Sequence, residues 1–203
     1  MANPTDPTTA PDAAAPRKRI LIAVGSFREK SLNRQLAKEA EKLIGDRAEV
    51  RYLKFDDLPF MNQDLEHADG SEDPVVARVR REVAEADGLW IVSPEYNRSY
   101  PGQVKTLIDW LSRPIVPGDY KTPLPIHGMP VTVSAAGGGW KGQNMAAKLV
   151  ELLKFVRFQE PTEPMCLMNY GIQALKTNVL TLDDETRQLL SAQVDAFLKA
   201  MGA

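Results

Sequence analysis

The sequence predicts an α/β protein built on a doubly wound parallel sheet of five strands with helices on both faces. Three observations predict it. Runs such as Ile20 to Val24 and Leu89 to Val92 are too short for helices and too uniformly apolar for half-solvated strands, so they read as strands buried on both sides. Between them lie segments whose apolar residues recur at helical spacing. The two patterns alternate along the chain, and that alternation is the mark of strand, crossover helix and parallel strand.

Each element can be argued in order. The first strand, residues 20–24, stops at Gly25-Ser26, and a helix over 31–44 carries Leu32, Leu36, Ala40 and Leu43 on one stripe before Gly45 closes it. Residues 49–55 read as the second strand. A polar stretch follows, and Pro74 after Asp73 opens a helix reaching Asp87, with Val75, Val79 and Val83 along one face. Residues 89–92 form the third strand. Pro101-Gly102 starts a helix to about Arg113, whose apolar face is Val104, Leu107, Ile108 and Leu111. A proline-rich loop over 114–130 leads into a fourth strand at 131–134. A helix over 144–155, a fifth strand at 165–168 and a last helix over 183–201 complete the reading.

Composition bounds what such a fold does. The chain has 203 residues, 43% hydrophobic and 26% charged, which suits one domain. Residues 1–17, rich in proline and alanine, read as a disordered tail ahead of a domain over 18–203. The tail has no apolar core of a secretory signal, and no apolar run approaches the roughly 20 residues that cross a bilayer. Cys166 is the only cysteine and reads as a buried strand thiol; with His67 and His127 it is too little for an intrachain disulfide or a zinc site. The net charge of −2 excludes the strong basic excess of a general nucleic-acid binder. No metal, no nucleic acid, no membrane and a reducing, cytoplasmic setting are the expectation.

In a doubly wound sheet, ligands bind outside the carboxyl ends of the strands. Three loops lie there. The first, Gly25-Ser26-Phe27-Arg28-Glu29-Lys30-Ser31-Leu32-Asn33, lacks the glycines of a dinucleotide fingerprint and of a phosphate-binding P-loop. It sets Ser26, Arg28, Ser31 and Asn33 around the start of a helix, where N–H groups and dipole favour a phosphate monoester. Ser31 reads equally as a plain N-cap. The second, Ser93-Pro94-Glu95-Tyr96-Asn97-Arg98-Ser99-Tyr100-Pro101-Gly102, is stiffened by two prolines, so it reads either as a rigid connection or as backbone aimed at a planar heterocycle. The third, Ser134-Ala135-Ala136-Gly137-Gly138-Gly139-Trp140-Lys141-Gly142, lets main chain approach a ligand closely or simply turns flexibly.

Taken together, the G-S-x-R-x-x-S-x-N loop after strand one and the S-P-E-Y-N-x-S-x-P-G loop after strand three resemble those of the NAD(P)H-dependent FMN reductases, which have a flavodoxin-like fold. The resemblance implies that Ser26, Arg28, Ser31 and Asn33 hold the FMN phosphate. It implies that Pro94, Glu95, Tyr96 and Asn97 line the isoalloxazine ring, with Ser134, Gly137 and Gly138 along its other edge. It implies NADPH or NADH as reductant, a small-molecule electron acceptor such as a flavin, quinone or azo compound, and a homodimer or homotetramer. No side-chain catalyst is implied, because the flavin carries the chemistry. Trp140 and Lys141 depart from the family pattern, in which an arginine is common in this loop. The alternative reading is a flavodoxin-type electron carrier or a flavin-binding redox sensor, and the small charge argues against a carrier steered to its partners by acidity. A serine hydrolase is disfavoured by the absence of a G-x-S-x-G elbow.

Overall fold

The computed structural model describes residues 16–66 and 71–203. The expectation of disorder for most of the tail, and His67, lie outside the described residues. Five strands, β1 (Arg19–Val24), β2 (Glu49–Tyr52), β3 (Gly88–Val92), β4 (Val131–Gly137) and β5 (Leu167–Asn169), pair in parallel in the order β2-β1-β3-β4-β5. Among the described residues, four α-helices connect them, α1 (Leu32–Ile44), α2 (Pro74–Ala84), α3 (Gly102–Leu111) and α4 (Gln143–Phe155), and two follow β5, α5 (Gly171–Thr177) and α6 (Asp184–Ala200). None of the described helices is long and apolar enough to cross a membrane.

The pleat sorts the aliphatic runs into two cores. Leu21, Ala23, Leu89, Ile91, Val131 and Val133 point to one side and meet α2, α3 and α4. Ile20, Ile22, Val24, Trp90 and Val92 point to the other and meet α1 and α6. Successive strand residues face opposite sides, so an unbroken apolar run is what two covered faces require.

The largest departures from the sequence reading are at β2, β4, β5 and α5. β2 ends at Tyr52, because after Leu53 donates to Ile22 O at 2.9 Å the ladder stops; Leu53 and Phe55 are buried as loop residues. β4 runs on from Ser134 to Gly137, where Ala135, Ala136 and Gly137 pair with Leu167, Met168 and Asn169. That pairing also shifts β5 two residues from its expected start. α5 is an element the sequence reading lacks: with Ile172 and Leu175 exposed and only Ala174 buried, it has no apolar stripe to betray it.

One buried polar network joins α6 to the sheet. The fully buried Gln193 amide accepts from Ser134 Oγ and the Cys166 N–H, both at 2.8 Å, and donates to Thr132 Oγ1 at 2.7 Å and Val133 O at 2.9 Å. Trp90 Nε1 donates to Ser134 Oγ at 3.0 Å. Every polar atom of the group is satisfied, which is the condition for burying it. Burial pushes the Cys166 thiol up to about 12, with the negative charge of Asp183 adding to it.

Candidate active site

Three loops meet on the carboxyl edge of β1, β3 and β4. The first begins at Gly25, whose N–H donates to Val92 O at 2.9 Å. A Cβ here would stand 2.5 Å from Val104 Cγ2 and 3.0 Å from Ser93 Oγ, so only glycine lets the loop pass this close to α3. Ser31 caps α1, its Oγ accepting from Arg34 N at 3.2 Å. The N–H groups of Leu32 and Asn33 lie ahead of the first intrahelical acceptor and point out of the helix start. Ser26 is buried, and Arg28 is exposed, with no ion pair among the described residues.

The second loop leaves β3 through buried Ser93 and Pro94 and turns back on itself. Tyr96 and Ser99 exchange two main-chain hydrogen bonds, at 2.9 and 3.0 Å, around Asn97 and Arg98. Both central residues have positive φ, 50° and 61°, as the tightest hairpin turns demand. The Glu95 carboxylate faces the next loop, accepting from Met145 N at 3.1 Å and Asn144 Nδ2 at 3.2 Å. It thereby caps α4, whose N-cap residue, Gly142, has no side chain to do so.

The third loop starts at Gly137, where a Cβ would meet Gly142 N at 2.6 Å. The chain doubles back there, with Lys141 N donating to Gly138 O at 2.8 Å. A Cβ at Gly139 would meet nothing within 4 Å, and one at Gly138 would meet Tyr170 Oη at 3.6 Å.

Side chains fasten these loops to one another. Asn33 bonds both main-chain groups of Ala136, Gln103 Nε2 donates to Gly25 O at 2.9 Å, and Glu95 holds Met145. Gln103 received no role from its sequence neighbourhood, since its acceptor lies 78 residues away. Of the expected contacts, Ser26, Arg28 and Ser31 gather at the end of β1, Pro94, Glu95, Tyr96 and Asn97 at the end of β3, and Gly137 and Gly138 at the end of β4. Two expected contacts differ in what they offer. The Asn33 amide is engaged by Ala136, which leaves its N–H free to face a ligand but not its side chain. The Ser134 hydroxyl is turned into the Gln193 network, fully buried. His127 accepts from Leu124 N through Nδ1, a packing role within the 114–130 loop.

A parallel five-stranded sheet of this order, with the start of α1 and the second loop at its switch point, defines a flavodoxin-like α/β fold. Residues 18–172 match the model of the NADPH-dependent FMN reductase family. The chain belongs to that family: it is an oxidoreductase of the NAD(P)H-dependent FMN reductase type, with FMN as cofactor. It is 34% identical over 186 residues to an NAD(P)H:quinone oxidoreductase of Solanum tuberosum, covering 89% of this chain and 91% of that protein. It is also 34% identical over 184 residues to a quinone reductase of Escherichia coli K12, covering 88% and 93%. Among solved structures, the flavoenzyme NAD(P)H:(acceptor) oxidoreductase FerB of Paracoccus denitrificans superposes with a TM-score of 0.75 at 30% identity, covering 91% of this chain and 97% of that one.

Proposed function

We propose that this chain reduces quinones and related planar acceptors with NAD(P)H through one FMN, the two substrates using the same site in turn, with residues 18–203 as the FMN-binding domain. Bound FMN supplies the hydride and two-electron chemistry. The chain supplies position. Arg28, Ser26, Ser31 and the leading N–H groups of α1 each offer a donor where a phosphate would sit, and the positive end of the helix adds to them. Pro94, Glu95, Tyr96 and Asn97 would flank the ring through main chain, facing the backbone of Gly137 and Gly138. Asn33, Gln103 and Glu95 keep those stretches in register without touching the ligand through their side chains. The observation that carries the reading is Arg28, an exposed guanidinium without an ion pair among the described residues, beside a helix start at the switch point of the sheet.

The companion proposal is a homodimer or homotetramer in a cytoplasmic setting. Phe155, Phe60 and Tyr120, each more than 70% exposed, are aromatic surface that a second subunit would cover. The lone buried thiol of Cys166 suits a reducing compartment.

The test is direct. Purified protein should be yellow, release FMN on denaturation, and bleach without oxygen on adding NADH or NADPH, and initial-rate plots against a quinone should give parallel lines. A colourless protein that takes up no FMN overturns the proposal, and intersecting lines overturn its alternating order.

A further inference from the structure

The rim of the site holds a contact that flavin binding does not use. The guanidinium carbon of Arg98, at the hairpin tip after β3, lies 5.2 Å from the ring centroid of Trp140, in the loop after β4. That is within the roughly 6 Å reach of a cation and π contact. Trp140 is 60% exposed, so a large apolar face stands open at the mouth. Glu95 and Met145 already tie the roots of these two loops; Arg98 and Trp140 join their tips. The tips are held in shape by left-handed backbone at Asn97, Arg98 and Lys141, none of them glycine.

The charge of Arg98 is also uncompensated. It has no carboxylate partner among the described residues, and the acid nearest it in sequence, Glu95, is engaged at the start of α4. The other cation of the rim, Lys141, is felt by Asp183. An arginine can face an aromatic ring and still donate from the edge of its planar fork. An unneutralised fork beside an exposed indole offers a charge and a flat apolar surface together. A phosphate group uses the first alone, whereas an aromatic anion uses both.

We propose that Arg98, positioned by Trp140, selects planar aromatic acceptors that carry a negative charge, such as quinones bearing a sulfonate, a carboxylate or an ionised hydroxyl, over neutral quinones of the same ring size. Arg98 contacts the anionic group, and Trp140 is a positioning residue. This rests on the flavin-site reading, which makes the space between these loops the entrance for the acceptor.

The experiment compares kcat/KM for 1,4-naphthoquinone-2-sulfonate and 1,4-naphthoquinone in FMN-loaded enzyme. Arg98→Gln should lower the ratio of sulfonated to neutral substrate by about tenfold or more, the scale of one charge-assisted hydrogen bond. Trp140→Leu should lower the ratio as well, Trp140→Phe should preserve most of it, and the double variant should fall no further than Arg98→Gln. Without reductant, the Kd of anthraquinone-2-sulfonate for oxidised holoenzyme, followed by fluorescence quenching, should rise by about tenfold in Arg98→Gln. An unchanged ratio in Arg98→Gln or Trp140→Leu at full FMN content overturns the proposal, as does an effect confined to the preference for NADPH over NADH. A wild-type protein that binds no FMN overturns the underlying reading instead, so the two failures are told apart.

Discussion

The side chain of Asn33 grips both main-chain groups of Ala136, receiving its N–H at 2.9 Å and donating to its carbonyl at 3.0 Å. An amide is the side chain that can do both at once. The first turn of α1 is thereby fixed to the last turn of strand before Gly137, across 103 residues of sequence.

Replacing Asn33 with Ala should cost about 2 kcal/mol or more, because each buried main-chain group left unpaired carries a penalty of roughly 1 to 3 kcal/mol. For a chain of this size that corresponds to a fall in Tm of about 4 °C or more. Differential scanning calorimetry measures it, and a change below 1 °C would contradict the grip.

Reversing the charge at Arg28 should separate the phosphate from the ring. In Arg28→Glu the Kd for FMN should rise by about tenfold or more, while that for riboflavin, which has no phosphate, should change far less. Fluorescence titration of both ligands reads the difference, and equal losses would remove Arg28 from the phosphate site.

Glu95 acts as a cap. Glu95→Ala should lower stability by about 1 kcal/mol, the usual loss of a capping group. Glu95→Gln should keep most of the rate of flavin reduction in stopped-flow measurements. A complete loss of reduction in Glu95→Gln would make the carboxylate a proton donor instead.

Acid sensitivity should have a share traceable to one pair. Arg113 donates to Glu66 at 2.6 and 2.7 Å, and this bond holds the Glu66 carboxyl below the ordinary range, burial opposing it. A depressed folded value means that the pair stabilises fully above the unfolded value of about 4.3 and is lost as pH falls through the folded one. The Tm gap between wild type and Glu66→Gln should therefore be widest near neutrality and narrow as pH falls below the unfolded carboxylate value. A gap independent of pH would exclude the pair as its source.

Cys166 should be silent in the folded protein. With its thiol pushed up to about 12 and fully buried, it should resist a thiol reagent such as iodoacetamide at pH 8 and react once unfolded. Mass spectrometry of the two samples decides it.

What could be read from the sequence followed the range of the interactions involved. β1, β3, α1 and α6 were legible because burial on two faces or one stripe writes itself into consecutive residues. β4 beyond Ser134 was not, because Ala135, Ala136 and Gly137 carry no strand propensity and are held there by pairing with Leu167 to Asn169. The seven residues of α5 left no stripe at all. At the site, the residue types around the three loops were readable, but what each side chain does was not. The Ser134 hydroxyl is one such case: it is engaged by Gln193, 59 residues on, a partner that its neighbours in sequence do not announce. The same holds for Asn33 and Glu95, whose partners come from other loops.

Each of the three fastenings has a side chain at one end and main chain at the other: Asn33 to Ala136, Gln103 to Gly25, Glu95 to Met145. Ala136 and Met145 take part in these fastenings through main chain alone, whereas Gly25 is also held to glycine by its approach to α3. These three side chains tie the roots of the loops, so exchanges at Tyr96, Arg98, Trp140 and Lys141, nearer the tips, leave those ties in place. On the proposed function, the mouth would be free to change its acceptors while the cofactor seat keeps its frame, a division of labour that favours divergence.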